Sequence, residues 1–327
     1  MQTESSSPSA ARSTDTPADA AYRVQRTPHH LHLQLRGLRQ HALQWGDLGS
    51  VSAARPLLVM VHGWMDVAAS FQFLVDALHD REGDARCVVA LDWRGFGLSE
   101  APGADSYWFP DYLGDLDAWL AALRERGAGE RVDLLGHSMG ANAVMMYAGV
   151  RPERIRRLAN LEGFGLPRTQ PDEAPERYAS WLDSLTQAQP LRPYASLEAV
   201  ADRLRKTNPL LPPARARWLA AHWARERSDG QWELLADAAH RRPNAVLYQA
   251  DEALACWDRI TAPVLWVEGD QTDPSRWWGT RYPRAEFEGR LARVRQLERH
   301  VVGPAGHMLH HDQPEALAAL LHTFLER

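Results

Sequence analysis

The chain has 327 residues, of which 45% are hydrophobic and 24% are charged, and its formal net charge at pH 7 is −5. This length and apolar fraction suit one large α/β domain, or a domain that carries an insertion. Acidic and basic residues are scattered along the chain, which argues against nucleic acid as a partner. No stretch reaches the roughly 18 apolar residues of a membrane span, so none is expected.

The N-terminal residues predict a disordered tail over 1–28. The first part is rich in Ser, Thr, Pro and Ala, and it has neither a basic start nor an apolar core, so it does not read as a signal peptide. We therefore expect a cytoplasmic protein. Cys87 and Cys256 each lie in an apolar run and are expected to be buried free thiols.

Strand and helix patterns alternate along most of the chain. Leucines at every second position predict a half-buried strand at 30–36, which pairs with a second strand at 40–46 through a hairpin at Gly37. Buried strands are predicted at 57–61, 87–91, 132–135, 157–161, 264–267 and 297–302, and helices at 70–78, 111–123, 141–148 and 314–325. This alternation predicts an α/β fold with a mostly parallel sheet flanked by helices.

The alternation stops between residues 166 and 258. This segment has helical stretches, several prolines and five tryptophans, but no convincing strand. We expect a helical cap at 166–258, inserted into a core made of 29–165 and 259–327. Its apolar residues would form a mainly apolar pocket, although the tryptophans suit core packing equally well.

The motif Gly-His-Ser-Met-Gly at 136–140 lies between a buried strand and a helix rich in Ala and Met. In such a turn the glycines let neighbouring backbone approach, and the central serine presents its Oγ at the carboxyl edge of the sheet. Ser138 is therefore the candidate nucleophile, and the backbone N–H of Met139 could stabilise an oxyanion.

Three further motifs follow strands in the order of a known superfamily. They are His-Gly-Trp at 62–64, Asp-Trp-Arg-Gly-Phe-Gly-Leu-Ser at 92–99 and Gly-His at 306–307. Together with the serine motif they resemble the α/β-hydrolase superfamily, from about residue 29 to the C-terminus. His-Gly-Trp-Met-Asp at 62–66 and the stretch 306–314 further resemble its serine-hydrolase-like branch.

This resemblance implies a catalytic triad and an oxyanion hole. Ser138 would be the nucleophile, His307 its base, and the backbone N–H groups of Trp64 and Met139 the oxyanion donors. Neither a cofactor nor a metal is implied. His310 and His311 could suggest a metal pair with His307, but without a third ligand a solvated helix start is expected.

The acid of the triad has three candidates. The family's order places it after the strand that precedes the last one, where the usual position holds Thr272. Asp273 fits if the turn carries one extra residue, and it is our prediction. Asp270 and Glu162 are the alternatives, because some members take the acid from the end of the earlier strand.

The resemblance implies a serine hydrolase of the carboxylic-ester type, which cleaves a small ester or thioester through an acyl-enzyme. The expected partner is a small-molecule substrate with an apolar acyl or aromatic part, and no oligomeric state is predicted. The alternatives are a carbon–carbon bond hydrolase, a lactonase, an acyltransferase, or a non-catalytic ligand-binding protein on the same fold.

Overall fold

The computed structural model describes residues 21–83, 86–187 and 190–327. Its main feature is an eight-stranded sheet in the order β1-β2-β4-β3-β5-β6-β9-β10, in which β2 is antiparallel to both its neighbours and all other pairs are parallel. Within these described ranges the strands in chain order are β1 (His29–Leu35), β2 (Leu38–Trp45), β3 (Leu58–Val61), β4 (Val88–Leu91), β5 (Val132–His137), β6 (Ile155–Leu161), β7 (Ala224–Glu226), β8 (Trp232–Leu234), β9 (Val264–Gly269) and β10 (Leu297–Val302). The predicted mostly parallel sheet and its leading hairpin are confirmed.

Helices cover both faces of the sheet. They are α1 (Gln72–Glu82), α2 (Phe109–Leu123), α3 (Met139–Val150), α4 (Ala174–Thr186), α5 (Leu197–Thr207), α6 (Pro213–Trp223), α7 (Ala250–Trp257), α8 (Ser275–Trp278), α9 (Arg284–Leu291), α10 (Leu309–Asp312) and α11 (Pro314–Leu325). Apolar side chains of β3, β4 and β5 are buried on both faces of the sheet, as expected for central parallel strands. Among the residues described, no helix is long and apolar enough to cross a membrane.

The described end of the predicted tail packs on the core. Tyr22 stands edge-on to Phe73 with ring centroids 4.8 Å apart, and its hydroxyl bonds Asp76. The N–H of Arg26 donates to the same carboxylate at 3.0 Å, and the Arg26 side chain is buried. The disorder predicted for 1–28 is therefore wrong for 22–28, while 1–20 lie outside the described residues.

The insertion between β6 and β9 differs from the predicted helical cap in two respects. It contains the antiparallel hairpin β7–β8, which is too short to leave an alternating pattern in the sequence. Its last helix, α7, packs against α3 so closely that a Cβ at Gly149 would collide with the backbone of Cys256. Helix α7 thus lies against the core, and the inserted segment that stands over the sheet edge is 166–249.

Candidate active site

Ser138 occupies a strained turn between β5 and α3. Its φ of 52° and ψ of −117° lie outside the helical and extended regions that L residues prefer. The turn is possible because its glycines leave room, since a Cβ at Gly140 would strike the backbone of His62. The hydroxyl is thereby held at the carboxyl edge of the sheet, as the sequence motif predicts.

His307 lies in the loop between β10 and α10 and contacts the serine directly. Its Nε2 is 2.9 Å from Ser138 Oγ, which is hydrogen-bond distance for a hydroxyl donor and an imidazole acceptor. The two residues are 169 positions apart in the chain, and the parallel sheet brings them together because both follow strands that end at the same edge.

The second ring nitrogen of His307 contacts Glu162. The Nδ1–H group donates to one carboxylate oxygen of Glu162 at 2.9 Å, and the other oxygen accepts the backbone N–H of Gly269 at 2.6 Å. Glu162 directly follows β6 and has a positive φ of 60°. Its buried carboxylate therefore reaches across the end of β9 to the histidine.

The prediction of Asp273 as the acid is wrong for this geometry. The exposed Asp273 carboxylate accepts the N–H of Ser275 at 3.0 Å and its hydroxyl at 2.6 Å, at the start of α8. Asp270 instead accepts the N–H of Ala305 at 2.8 Å, which braces the loop before His307. Neither aspartate of the loop 269–274 contacts His307. Glu162, the alternative at the end of the earlier strand, contacts it instead.

Burial governs the electrostatics of the pair. It lowers the pKa of His307 to about 4, because the imidazolium of this half-buried side chain, which is 29% exposed, loses much of its hydration. Burial also raises the pKa of Glu162, and the hydrogen bond from Gly269, which favours the ionised form, offsets this rise only in part. The imidazole is thus neutral at pH 7 and can accept a proton at Nε2.

The loop after β3 lies against the serine turn. A Cβ at Gly63 would be 3.1 Å from Ser138 Cβ and 3.0 Å from His137 Nδ1, so a larger residue would crowd the serine turn. This brings the backbone of Trp64 next to the nucleophile. The N–H of Met139, in the first turn of α3, has no acceptor within its own helix. Both predicted oxyanion donors thus belong to segments that border Ser138.

Two other motif residues have supporting roles. His137 turns away from the nucleophile, and its Nε2–H donates to the carbonyl of His307 at 2.8 Å, in agreement with a structural role. Arg94 makes two hydrogen bonds of 2.6 Å to the buried carboxylate of Asp115 and so braces the loop after β4.

A cavity of about 1550 Å³ lies between the sheet edge and the inserted segment, and Ser138 and His307 line it. Most of its aromatic lining comes from residues that sequence analysis did not single out, namely Trp108, Phe109, Phe164, Tyr248, Trp277 and Trp278. Of the five tryptophans in the predicted cap, Trp223 lines the cavity. The adjacent tryptophans at 277 and 278 follow the turn at Asp273. Their position beside this candidate site residue could have identified them as part of the cavity lining.

His310 and His311 do not form the solvated helix start that was expected. Both are buried, and their rings lie 4.2 Å apart next to the ring of His137. The helix α10 that carries them is covered by α1 and by the inserted segment, where Arg215 donates to the carbonyl of His311 at 3.0 Å. The polar residue types at 310–312 suggested that this helix start is exposed to solvent, but packing against α1 and the inserted segment buries both histidines.

Comparison with known proteins gives relatives of the same kind. Residues 56–314 match the family model described as alpha/beta hydrolase fold. A serine hydrolase-like protein of Danio rerio is 29% identical over 235 residues, which cover 68% of each chain. A serine hydrolase-like protein of Dictyostelium discoideum is 23% identical over 88% of this chain and 79% of its own length.

Solved structures agree with these matches. A hypothetical protein from Pseudomonas aeruginosa PAO1 superposes with a TM-score of 0.75 at 28% identity, covering 91% of this chain and 99% of its own. A thioesterase domain from the curacin biosynthetic pathway has a TM-score of 0.76 at 23% identity, covering 90% of this chain and 99% of its own, and shows the shared fold. The chain therefore belongs to the α/β-hydrolase superfamily, in its serine-hydrolase-like branch.

Proposed function

We propose that this protein is a serine hydrolase that cleaves a small ester or thioester through an acyl-enzyme, with the triad Ser138, His307 and Glu162. The observation that carries the proposal is the continuous contact of 2.9 Å from Ser138 Oγ to His307 Nε2 and of 2.9 Å from His307 Nδ1 to Glu162. Nucleophile, base and orienting acid in that order are what acyl transfer to a serine needs.

The reaction begins with proton transfer. His307 Nε2 takes the hydroxyl proton as Ser138 Oγ attacks the substrate carbonyl carbon, and Glu162 stabilises the imidazolium without taking the proton itself. The tetrahedral intermediate collapses when the imidazolium gives this proton to the departing alcohol or thiol. Water, deprotonated by the same imidazole, then releases the acid and regenerates the serine.

The negative charge of each tetrahedral intermediate needs hydrogen-bond donors. The N–H groups of Trp64 and Met139 are the donors we assign, because both backbone segments border Ser138. Removing one such donor typically costs a few kcal/mol in the transition state. The Trp64 indole donates to the carbonyl of His240 at 3.0 Å, so the inserted segment helps to hold this loop in place.

The inserted segment 166–249 is assigned as the cap that selects the substrate. Together with the loops of the core it lines the cavity above Ser138, and the aromatic side chains named above make much of that lining apolar. We therefore expect a substrate with an apolar acyl or aromatic part. No cofactor takes part in the steps above.

A substrate panel on wild type and Ser138→Ala together tests this function. Short p-nitrophenyl esters and acyl thioesters should be hydrolysed by wild type and not by the variant. Addition of an alcohol or thiol reveals an acyltransferase if acyl product partitions to it. Turnover of a lactone or of a carbon–carbon substrate in preference to every ester would reject the ester assignment, and turnover by Ser138→Ala at the wild-type rate would reject the serine mechanism.

A further inference from the structure

A second group of polar side chains lies buried behind the nucleophile. Asp66 belongs to the loop after β3, and His310 and His311 form part of α10. Their exposed fractions are 3%, 0% and 2%. One candidate ligand atom from each residue lies within 4.8 Å of the other two, so three metal-ligating side chains converge on one point.

Several polar atoms of this cluster lack a partner. Asp66 Oδ2, both ring nitrogens of His310 and Nε2 of His311 make no hydrogen bond within the part of the chain that the structure describes. Asp66 Oδ1, in contrast, accepts the N–H of Val67 at 2.8 Å and the hydroxyl of Ser70. A buried polar atom without a partner loses its hydration with nothing in return, so such a concentration of them indicates a ligand.

The donor set selects the class of ligand. Two imidazole nitrogens and one carboxylate oxygen suit a divalent transition metal such as Zn²⁺, whereas Ca²⁺ and Mg²⁺ prefer oxygen ligands alone. Ligand atoms about 2 Å from a tetrahedral ion lie about 3.4 Å from one another. Asp66 Oδ2 and His310 Nε2 are 4.0 Å apart, so small side-chain rotations would close the site.

The cluster lies beside the cavity. Asp66 and His311 are among the residues that border the same cavity as Ser138, although their unpartnered ligand atoms are themselves buried. Three protein ligands, with a fourth position left for water or another small ligand, are a common arrangement for zinc.

We propose that Asp66, His310 and His311 form a binding site for one divalent transition-metal ion of the zinc type. The ion would tie the loop that carries Trp64 to the helix that follows His307, and so fix two parts of the neighbouring site. The sequence did not predict a metal site here because it showed no third ligand. In this proposal Asp66, 244 positions before His310, is the third ligand. The proposal does not depend on the proposed hydrolase activity.

A second cluster of the chain provides a matched control. Glu82, His322 and Glu326 also lie close together, but hydrogen bonds within the protein already engage all three side chains. The imidazole of His322 bonds Glu82 at 2.9 Å, and Arg86 donates to Glu82 at 2.9 Å and to Glu326 at 2.5 Å. His322→Gln therefore removes a histidine from a similar cluster without touching the proposed site.

The test is calorimetric titration of chelator-treated protein with Zn²⁺, and with Co²⁺ to read the visible absorption of the bound ion. We expect one equivalent per chain and a rise in the Tm of wild type, because the ion binds the folded state. Asp66→Asn keeps an oxygen for Val67 and Ser70 but removes the ligand oxygen, so it should weaken binding at least about tenfold. His311→Gln should do the same, and His322→Gln should bind as wild type does.

His307→Gln separates this site from the triad. If zinc binding is lost in His307→Gln and kept in Asp66→Asn, the ion occupies the triad and the proposal is overturned. It is equally overturned if folded wild type binds no zinc, or if binding falls only in His322→Gln. Far-UV circular dichroism of each variant establishes that it is folded, and His311→Gln serves as the test if Asp66→Asn is not.

Discussion

Strained backbone occurs at three residues in and around the turn that carries Ser138. Ser138, Glu162 and Met65 have positive φ values of 52°, 60° and 56°, and each lies at or just beyond the carboxyl end of a parallel strand. Such a conformation costs a non-glycine residue on the order of 1–3 kcal/mol. The strain turns Ser138 and Glu162 toward His307, and Met65 places the loop that carries Trp64.

Glu162→Gln should separate the acid of the triad from its rivals. The amide keeps an oxygen for the N–H of Gly269, but its NH₂ group cannot accept the Nδ1–H of His307. The wrong tautomer of His307 is then favoured, and kcat should fall by about 10³–10⁴. Asp273→Asn is the matched control and should stay within about threefold of wild type. Steady-state kinetics of both variants measure these losses of kcat. A larger loss of kcat in Asp273→Asn than in Glu162→Gln would mean that Asp273 is the acid of the triad.

The pH profile of kcat/KM should report His307. The base must be unprotonated, so activity is lost as pH falls through its pKa. Partial burial lowers that pKa to about 4. We therefore expect the acid limb to have its midpoint below 6.5, the ordinary value for histidine. A midpoint at or above 6.5 would contradict this, provided that the protein is still folded there.

Residue types and motifs were enough to propose Ser138 and His307 as a pair, and the two side chains are in contact, but they did not identify the carboxylate that accepts the Nδ1–H of His307. Both predictions rest on local patterns, a glycine-bounded serine turn and a Gly-His pair after a strand. The acid depends on which carboxylate reaches Nδ1 across the sheet edge, and that distance depends on side-chain length and on the course of two loops. The position of Glu162, directly after a buried strand and before a glycine, pointed to it as the acid. The family's usual position of the acid, in the loop after Gly269, favoured Asp273 instead.

The element that attaches the inserted segment to the core is the stretch just after β8. The N–H of Gly97 donates to the carbonyl of Leu235 at 2.8 Å, and the N–H of Asp237 donates to that of Gly95 at 2.7 Å. His240 then stacks between Phe96 and Tyr107, with ring centroids 3.6 and 3.7 Å away. These contacts fix one end of the inserted segment on the loop after β4.

His240 should make this attachment sensitive to acid. Its Nε2–H donates to the carbonyl of Arg94 at 3.1 Å and Tyr112 donates to its Nδ1 at 3.3 Å, so the neutral ring is satisfied. Burial lowers its pKa to about 3. Below pH 6.5 the unfolded chain binds a proton that the folded chain does not. This residue therefore removes about 1.4 kcal/mol of unfolding free energy per pH unit as pH falls toward 3.

His240→Phe is the variant that tests this. Phenylalanine keeps the stacking but makes neither hydrogen bond, so the variant should have a lower free energy of unfolding than wild type at pH 7. Because phenylalanine cannot take a proton, the difference in unfolding free energy between the two proteins should shrink as pH falls. Urea unfolding of both proteins between pH 7 and 4.5 measures the difference. A deficit that does not change with pH would mean that His240 does not titrate in this range.

Helices and strands were predicted best where their buried residues recur at a regular spacing in the sequence or form an apolar run. The sheet strands and the helices α1, α2, α3 and α11 were found because apolar runs and helical spacing mark them. The hairpin β7–β8 was missed because three-residue strands carry no period. Helix α7 was assigned to the cap because sequence cannot tell which neighbour a helix packs on, and here its neighbour is α3.

At the scale of the whole molecule, the order of strands and motifs was sufficient to predict the fold. Parallel strands with right-handed crossovers place their carboxyl ends along one edge, and this brings residues 138, 162 and 307 together from distant parts of the chain. The sequence could not predict the buried cluster of Asp66, His310 and His311. Its members come from a loop and a short helix, and they meet only through packing of the complete domain.

The measurement that tests the central claim most directly is labelling by a fluorophosphonate probe, followed by mass spectrometry of the intact protein and its peptides. The account predicts one adduct per chain, on Ser138, with none on folded Ser138→Ala and much slower labelling of Glu162→Gln. Folded wild type that stays unlabelled across a range of pH, or that carries its adduct on another residue, would contradict it.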